Sequence, residues 1–102
     1  MKKPKTKKYQ DWILEKLKDH DLAVAYLNEA LEESLKGDEE SQYLFLIALK
    51  NVAEAQGGIG NLAKKARIGR ESLYKTLSET GNPKWHTLVI LMNALGLNLK
   101  VA

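Results

Sequence analysis

Residues 43–49, YLFLIAL, are apolar without a break, and they lie between Gly37–Asp38 on one side and Gly57–Gly58 on the other. The stretch between those breakers is far longer than an ordinary strand and suits a helix. A helix that is apolar nearly all round must sit at the centre of its domain. Whatever else the chain forms has to be wrapped around that helix, so the expectation is an all-α fold.

The flanking segments supply the wrapping. A first short helix is expected to start near Asp11, as N-cap, and to bury Trp12, Ile13 and Leu17. The cluster Asp19, His20, Asp21 breaks it. A second helix then reaches about Lys36, with Leu22, Tyr26, Leu27, Ala30, Leu31 and Leu35 on one broad face. Gly37 stops it, and Asp38 caps the central helix with Glu39 and Glu40 in its first turn. After Gly57 and Gly58 come two short helices, then Pro83 at the start of a last helix carrying Trp85, Leu88, Val89, Leu91, Met92 and Leu95. Gly96 stops that helix. Leu97, Leu99 and Val101 alternate with polar residues, the pattern of a short extended arm. The reading is a five- or six-helix domain over residues 9–102, with 9–56 as N-terminal helices, 57–102 as the second half, and 1–8 as a flexible basic tail. Trp12, Tyr26, Tyr43 and Phe45 are assigned to the core, since they fall at helical spacing among aliphatics.

Composition narrows the chemistry. The 102 residues suit one domain, and 44% are apolar, enough for a packed core. There is no cysteine, which excludes disulfides and thiolate metal sites. No apolar run approaches the roughly 18 residues that span a membrane, and no apolar segment follows the basic start as in a secretory signal. The expected location is the cytoplasm. Gly57, Gly58 and Gly60 lack the spacing of a phosphate loop, and His20 and His86 fall in no metal-ligand spacing. No catalytic residues, metal or cofactor are assigned, and the chain is not expected to be an enzyme.

Charge is segregated. Residues 1–8 carry five Lys and no acid. Residues 9–56 carry four basic and eleven acidic side chains, whereas residues 57–102 carry seven basic and two acidic. A basic half suits phosphates, and an acidic half suits a basic protein. The acids Glu29, Glu32, Glu33, Asp38, Glu39 and Glu40 are either a solvated face or a surface for such a partner. The Lys-rich start is either a solubilising tail or an arm along a DNA backbone.

Residues 59–78, IGNLAKKARIGRESLYKTLS, carry the sharpest functional pattern. Ile59, Leu62, Ala63 and Ala66 fit one helix face, and Ile68 can plug the corner. Leu73 and Leu77, four apart, hold the second helix inward. That leaves Arg70, Glu71, Tyr74 and Lys75 facing out, with side chains suited to base edges in a major groove. Lys64, Lys65, Arg67, Ser72 and Ser78 suit phosphates. Arg67 stands where such turns often have Gly. Either Arg67 takes a left-handed conformation, or the turn is built around Gly69. The bland alternative is a helical hairpin with a charged outer face.

Residues 57–99, GGIGNLAKKARIGRESLYKTLSETGNPKWHTLVILMNALGLNL, resemble Cro/CI-type helix-turn-helix proteins, and more narrowly the HigA-like probable addiction-module antidotes. The upstream YLNEALEES and LFLIALKNVAEAQGG are similar to the same subfamily. The resemblance implies a lambda-repressor-like helix-turn-helix and a transcriptional repressor that binds its own palindromic operator in double-stranded DNA. It also implies an antitoxin that silences a RelE-like toxin, and it places base contact on Arg70, Glu71, Tyr74 and Lys75. A homodimer is expected on such a site, its contact formed by the arm Leu97, Leu99 and Val101 and the apolar face of the last helix, unless the arm packs on its own domain. The rival functions are a stand-alone helix-turn-helix regulator and a protein-interaction module without DNA binding.

Overall fold

A computed structural model describes residues 7–78 and 82–97. Those residues form six helices and, among themselves, no strand: α1 (Lys7–Lys16), α2 (His20–Ser34), α3 (Glu39–Ala55), α4 (Ile59–Ala66), α5 (Arg70–Thr76) and α6 (Trp85–Ala94). The expected all-α fold is what is found. Helix α3 is its axis, with eight of its 17 residues buried, including Phe45, Leu46, Leu49 and Val52. Helices α1, α2 and α4 pack on α3, while α5 and α6 pack on α4. Leu49 has no exposed surface, and burying such a side chain contributes roughly 1.5–3 kcal/mol.

The helix ends follow local chemistry. Asp19 caps α2 by accepting from the Leu22 backbone N–H at 3.2 Å. Asp38 caps α3 by accepting from the Ser41 N–H at 2.7 Å. That contact, with a second from the Ser41 hydroxyl, holds the Asp38 carboxyl below its ordinary pKa. After α3 the chain turns sharply: Gly57 and Gly58 have φ of 123° and 96°, values that a side chain would strain.

Three expectations need correction. Helix α1 begins by Lys7, inside the segment assigned to the tail and four residues before Asp11. A tertiary contact supports this early start: Gln10 Nε2 donates to the buried Asn51 Oδ1 at 2.9 Å. Trp12 is 54% exposed rather than core, because Ile13 and Leu17 define the buried stripe and Trp12 lies a quarter-turn away. Leu22 and Leu35 are exposed as well, since the buried stripe of α2 centres on Ala23 and Leu27.

Asn51 also joins α3 to α2, its Nδ2 donating to Tyr26 Oη at 3.2 Å. Gln56 Nε2 donates to the Leu17 carbonyl at 2.7 Å and so closes the end of α1 against the end of α3. These polar links set how α1 sits on the axis.

Candidate nucleic-acid interface

Helices α4 and α5 are joined by Arg67, Ile68 and Gly69. The turn is a Schellman closure: the Ile68 N–H donates to the Ala63 carbonyl at 3.0 Å, and the Arg67 N–H to the Lys64 carbonyl at 3.3 Å. Arg67 is left-handed at φ 59°, whereas Gly69 lies in extended backbone at φ −59°, ψ 142°. The choice left open by the sequence is therefore resolved in favour of Arg67, in a conformation that costs a non-glycine residue roughly 1–2 kcal/mol. Helices α3 and α6 end with the same long backbone bond, Gly58 to Ala53 and Leu97 to Met92, but there a glycine has the positive φ. Ile68 is partly buried against the core and plugs the corner.

Leu73 and Leu77 are buried and fix the rotation of α5. Arg70, Glu71, Ser72, Tyr74 and Lys75 are all exposed. The Arg70 guanidinium carbon lies 5.9 Å from the Tyr74 ring centroid. The guanidinium is also near the first turn of α4, where a Cβ added to Gly60 would sit 3.9 Å from that carbon. Arg70 thus lies near both an aromatic ring and a residue without a side chain. Lys64, Lys65 and Arg67 are exposed at the end of α4, beside the negative end of that helix. Ser78 is half-buried and its hydroxyl donates to the Lys75 carbonyl at 2.7 Å, so that group is engaged locally.

The acidic residues lie on a separate part of the fold. Glu29, Glu32, Glu33, Glu39 and Glu40 are exposed on α2 and the first turn of α3. Glu33 pairs with Lys36 at 3.2 Å, and Asp38 is committed to its cap. Leu97 is buried in the protein's own core, so its side chain has little surface left for a second copy. Leu99 and Val101 lie outside the described residues. His86 is exposed beside Trp85, which is itself 64% exposed instead of joining the apolar face of α6. Sequence periodicity did not separate Trp85 from its aliphatic neighbours, although its place in the first turn after Pro83 left it open to solvent. Among the described residues no group of three or more His, Cys, Asp or Glu is placed to hold a metal ion, and no helix is long and apolar enough to cross a membrane.

An all-α domain with a basic helical pair on one side and an acidic corner on another is the class of protein that these elements define. The chain belongs to the family described as probable addiction module antidote proteins, which matches it over residues 6–102. The family's name puts its members on the antidote side of an addiction module, a role that carries a toxin as partner. An uncharacterized protein of Haemophilus influenzae strain Rd is 40% identical over 98 residues, covering 87% of this chain and 94% of that relative. No solved structure matches the chain.

Proposed function

We propose that the chain is a sequence-specific DNA-binding repressor and the antitoxin of a type II module, acting in the cytoplasm. It binds its own operator as a homodimer and neutralises a RelE-like toxin. The observation that carries the DNA reading is the outward face of α5, where buried Leu73 and Leu77 set the rotation and the Arg70 guanidinium lies over the Tyr74 ring. A guanidinium held in this way can present two parallel donors to a guanine edge. Glu71 accepts from a cytosine amino group or orients Arg70, and Lys75 reaches base or backbone. Lys64, Lys65, Arg67 and Ser72 supply phosphate contacts that set register. Antidote family membership carries the toxin reading.

The test is a salt titration of binding to DNA from the chain's own promoter, against scrambled DNA, for the wild type and Arg70→Ala/Lys75→Ala. Selective binding that the double variant loses supports the repressor. Equal affinity for both DNAs at every salt concentration removes it and leaves the antidote role without autoregulation.

A further inference from the structure

A groove of about 930 Å³ runs between α2, the start of α3, and α6. Helix α6 packs on α4, and the groove is the space left on its other side. Leu31, Tyr43, Leu46, Val89 and Met92 form its walls. Leu35 and Trp85 also line it and are 66% and 64% exposed, the most exposed large hydrophobics among the described residues. Apolar side chains gathered this way at a surface mark an interaction site, whereas isolated ones do not.

Glu39 puts a carboxylate on the lip of the groove, and it belongs to residues 29–42, which run from the second half of α2 into α3 and contain six acids and one Lys. We propose that this groove seats an amphipathic, basic helix of the toxin partner, with its apolar stripe between Leu35 and Trp85 and its Lys and Arg residues toward the acidic lip. This rests on the antidote reading and is independent of the DNA reading. Helix-in-groove binding uses apolar anchors for affinity and peripheral charge for orientation. A second copy fits the same groove less well, because a two-fold contact would bring the acidic lip against itself.

The groove can be tested in the full chain carrying Trp12→Phe, which leaves Trp85 as the one tryptophan of the original two. The probes are a synthetic Leu/Lys amphipathic helix and a Leu/Glu helix of the same length. The expected result is saturable binding of the Leu/Lys peptide with a blue shift of Trp85 emission, and binding of the Leu/Glu peptide weaker by about tenfold or more. Leu35→Glu and Glu39→Lys should each weaken the Leu/Lys peptide by a similar factor, while operator binding measured alongside stays unchanged. Equal binding of both peptides, or a Leu35→Glu variant that binds like wild type, overturns the proposal. So does a wild-type dimer that Leu35→Glu dissociates, which would make a second copy the occupant. A gain in peptide affinity on removing residues 98–102 would make the chain's own end the occupant and overturn it too. Loss of operator binding in Arg70→Ala/Lys75→Ala leaves the peptide result untouched, so the two readings fail separately.

Discussion

The guanidinium of Arg70 lies 5.9 Å from the ring centroid of Tyr74, one turn further along α5. A cation–π contact of this kind restricts a long side chain before it meets a ligand, and at an exposed site it contributes about 0.5–1 kcal/mol. Tyr74→Phe keeps the ring and should hold operator affinity close to wild type. Tyr74→Ala should lose about 0.5–1 kcal/mol, and Arg70→Ala about 1–3 kcal/mol with relaxed discrimination at one base pair. Anisotropy titrations against single-base operator variants would show this. A Tyr74→Ala protein that discriminates like wild type would mean that the ring does not position Arg70.

Arg67 separates stability from binding. Its left-handed backbone costs roughly 1–2 kcal/mol, and glycine removes that strain at an entropic cost of roughly 0.5–1 kcal/mol. Arg67→Gly should therefore stabilise the fold by about 0.5–1 kcal/mol in urea unfolding. If Arg67 touches a phosphate, the same change should weaken DNA binding evenly across sequences and lower the salt slope by about 1. A destabilised Arg67→Gly protein would contradict the strain argument.

Asn51 is 4% exposed and links Gln10 on α1 to Tyr26 on α2. Asn51→Ala leaves both partners without it, and should cost about 1–3 kcal/mol beyond the lost packing. Hydrogen exchange should show α1 loosening first, since α1 is held to α3 by this contact, by Gln56 at its end and by the Ile13–Leu17 stripe. Uniform loosening of all six helices would argue against a local role.

Tyr26 ties the same network to pH. Burial pushes its phenol above the ordinary value of 10.0, and the Asn51 hydrogen bond offsets part of that rise. The folded state therefore keeps the proton longer than the unfolded chain. The Tyr26 contribution to stability is intact below pH 10.0 and is lost as pH climbs through the raised folded value. Tyr26→Phe should flatten this alkaline fall in a series of urea melts, and an unchanged fall would place its origin elsewhere.

Asp38 shows the opposite sign. Its carboxyl pKa is lowered by the Ser41 backbone bond, so its contribution to stability is present above the ordinary carboxylate range and is lost as pH falls through the depressed value. Asp38→Ala should lower the melting temperature at neutral pH, and the gap to wild type should close in acid. Asp38→Asn, whose amide oxygen still accepts, should lie between them with little pH dependence. A gap that stays constant down to acid pH would show that charge plays no part in the cap.

Elements bounded by strong local signals were legible in the sequence. The central helix between Asp38 and Gly57, the cap at Asp38 and the inward pair Leu73 and Leu77 all follow from residue chemistry and helical spacing. The outward position of Arg70, Glu71, Tyr74 and Lys75 follows from that same pair. Less legible was anything that depends on a distant partner. Nothing near Lys7 announces a helix, because the contact that supports it comes from Asn51, 41 residues beyond Gln10. Trp12 reads as a core residue, since a periodic pattern shows that a side chain is apolar and not which way a whole helix is turned.

By itself, the sequence determined the helices, most of their ends and the face that α5 turns outward, because capping, glycine stops and a four-residue leucine spacing act within a turn or two of chain. Only the tertiary structure decided that Arg67 rather than Gly69 takes the left-handed turn, that Leu97 is buried, and that Leu35 and Trp85 flank one open groove. Those outcomes depend on how α4 closes on α3 and how α5 and α6 pack on α4, which leaves one side of α6 uncovered. That closure is set by packing between residues far apart in the chain, which no local pattern encodes.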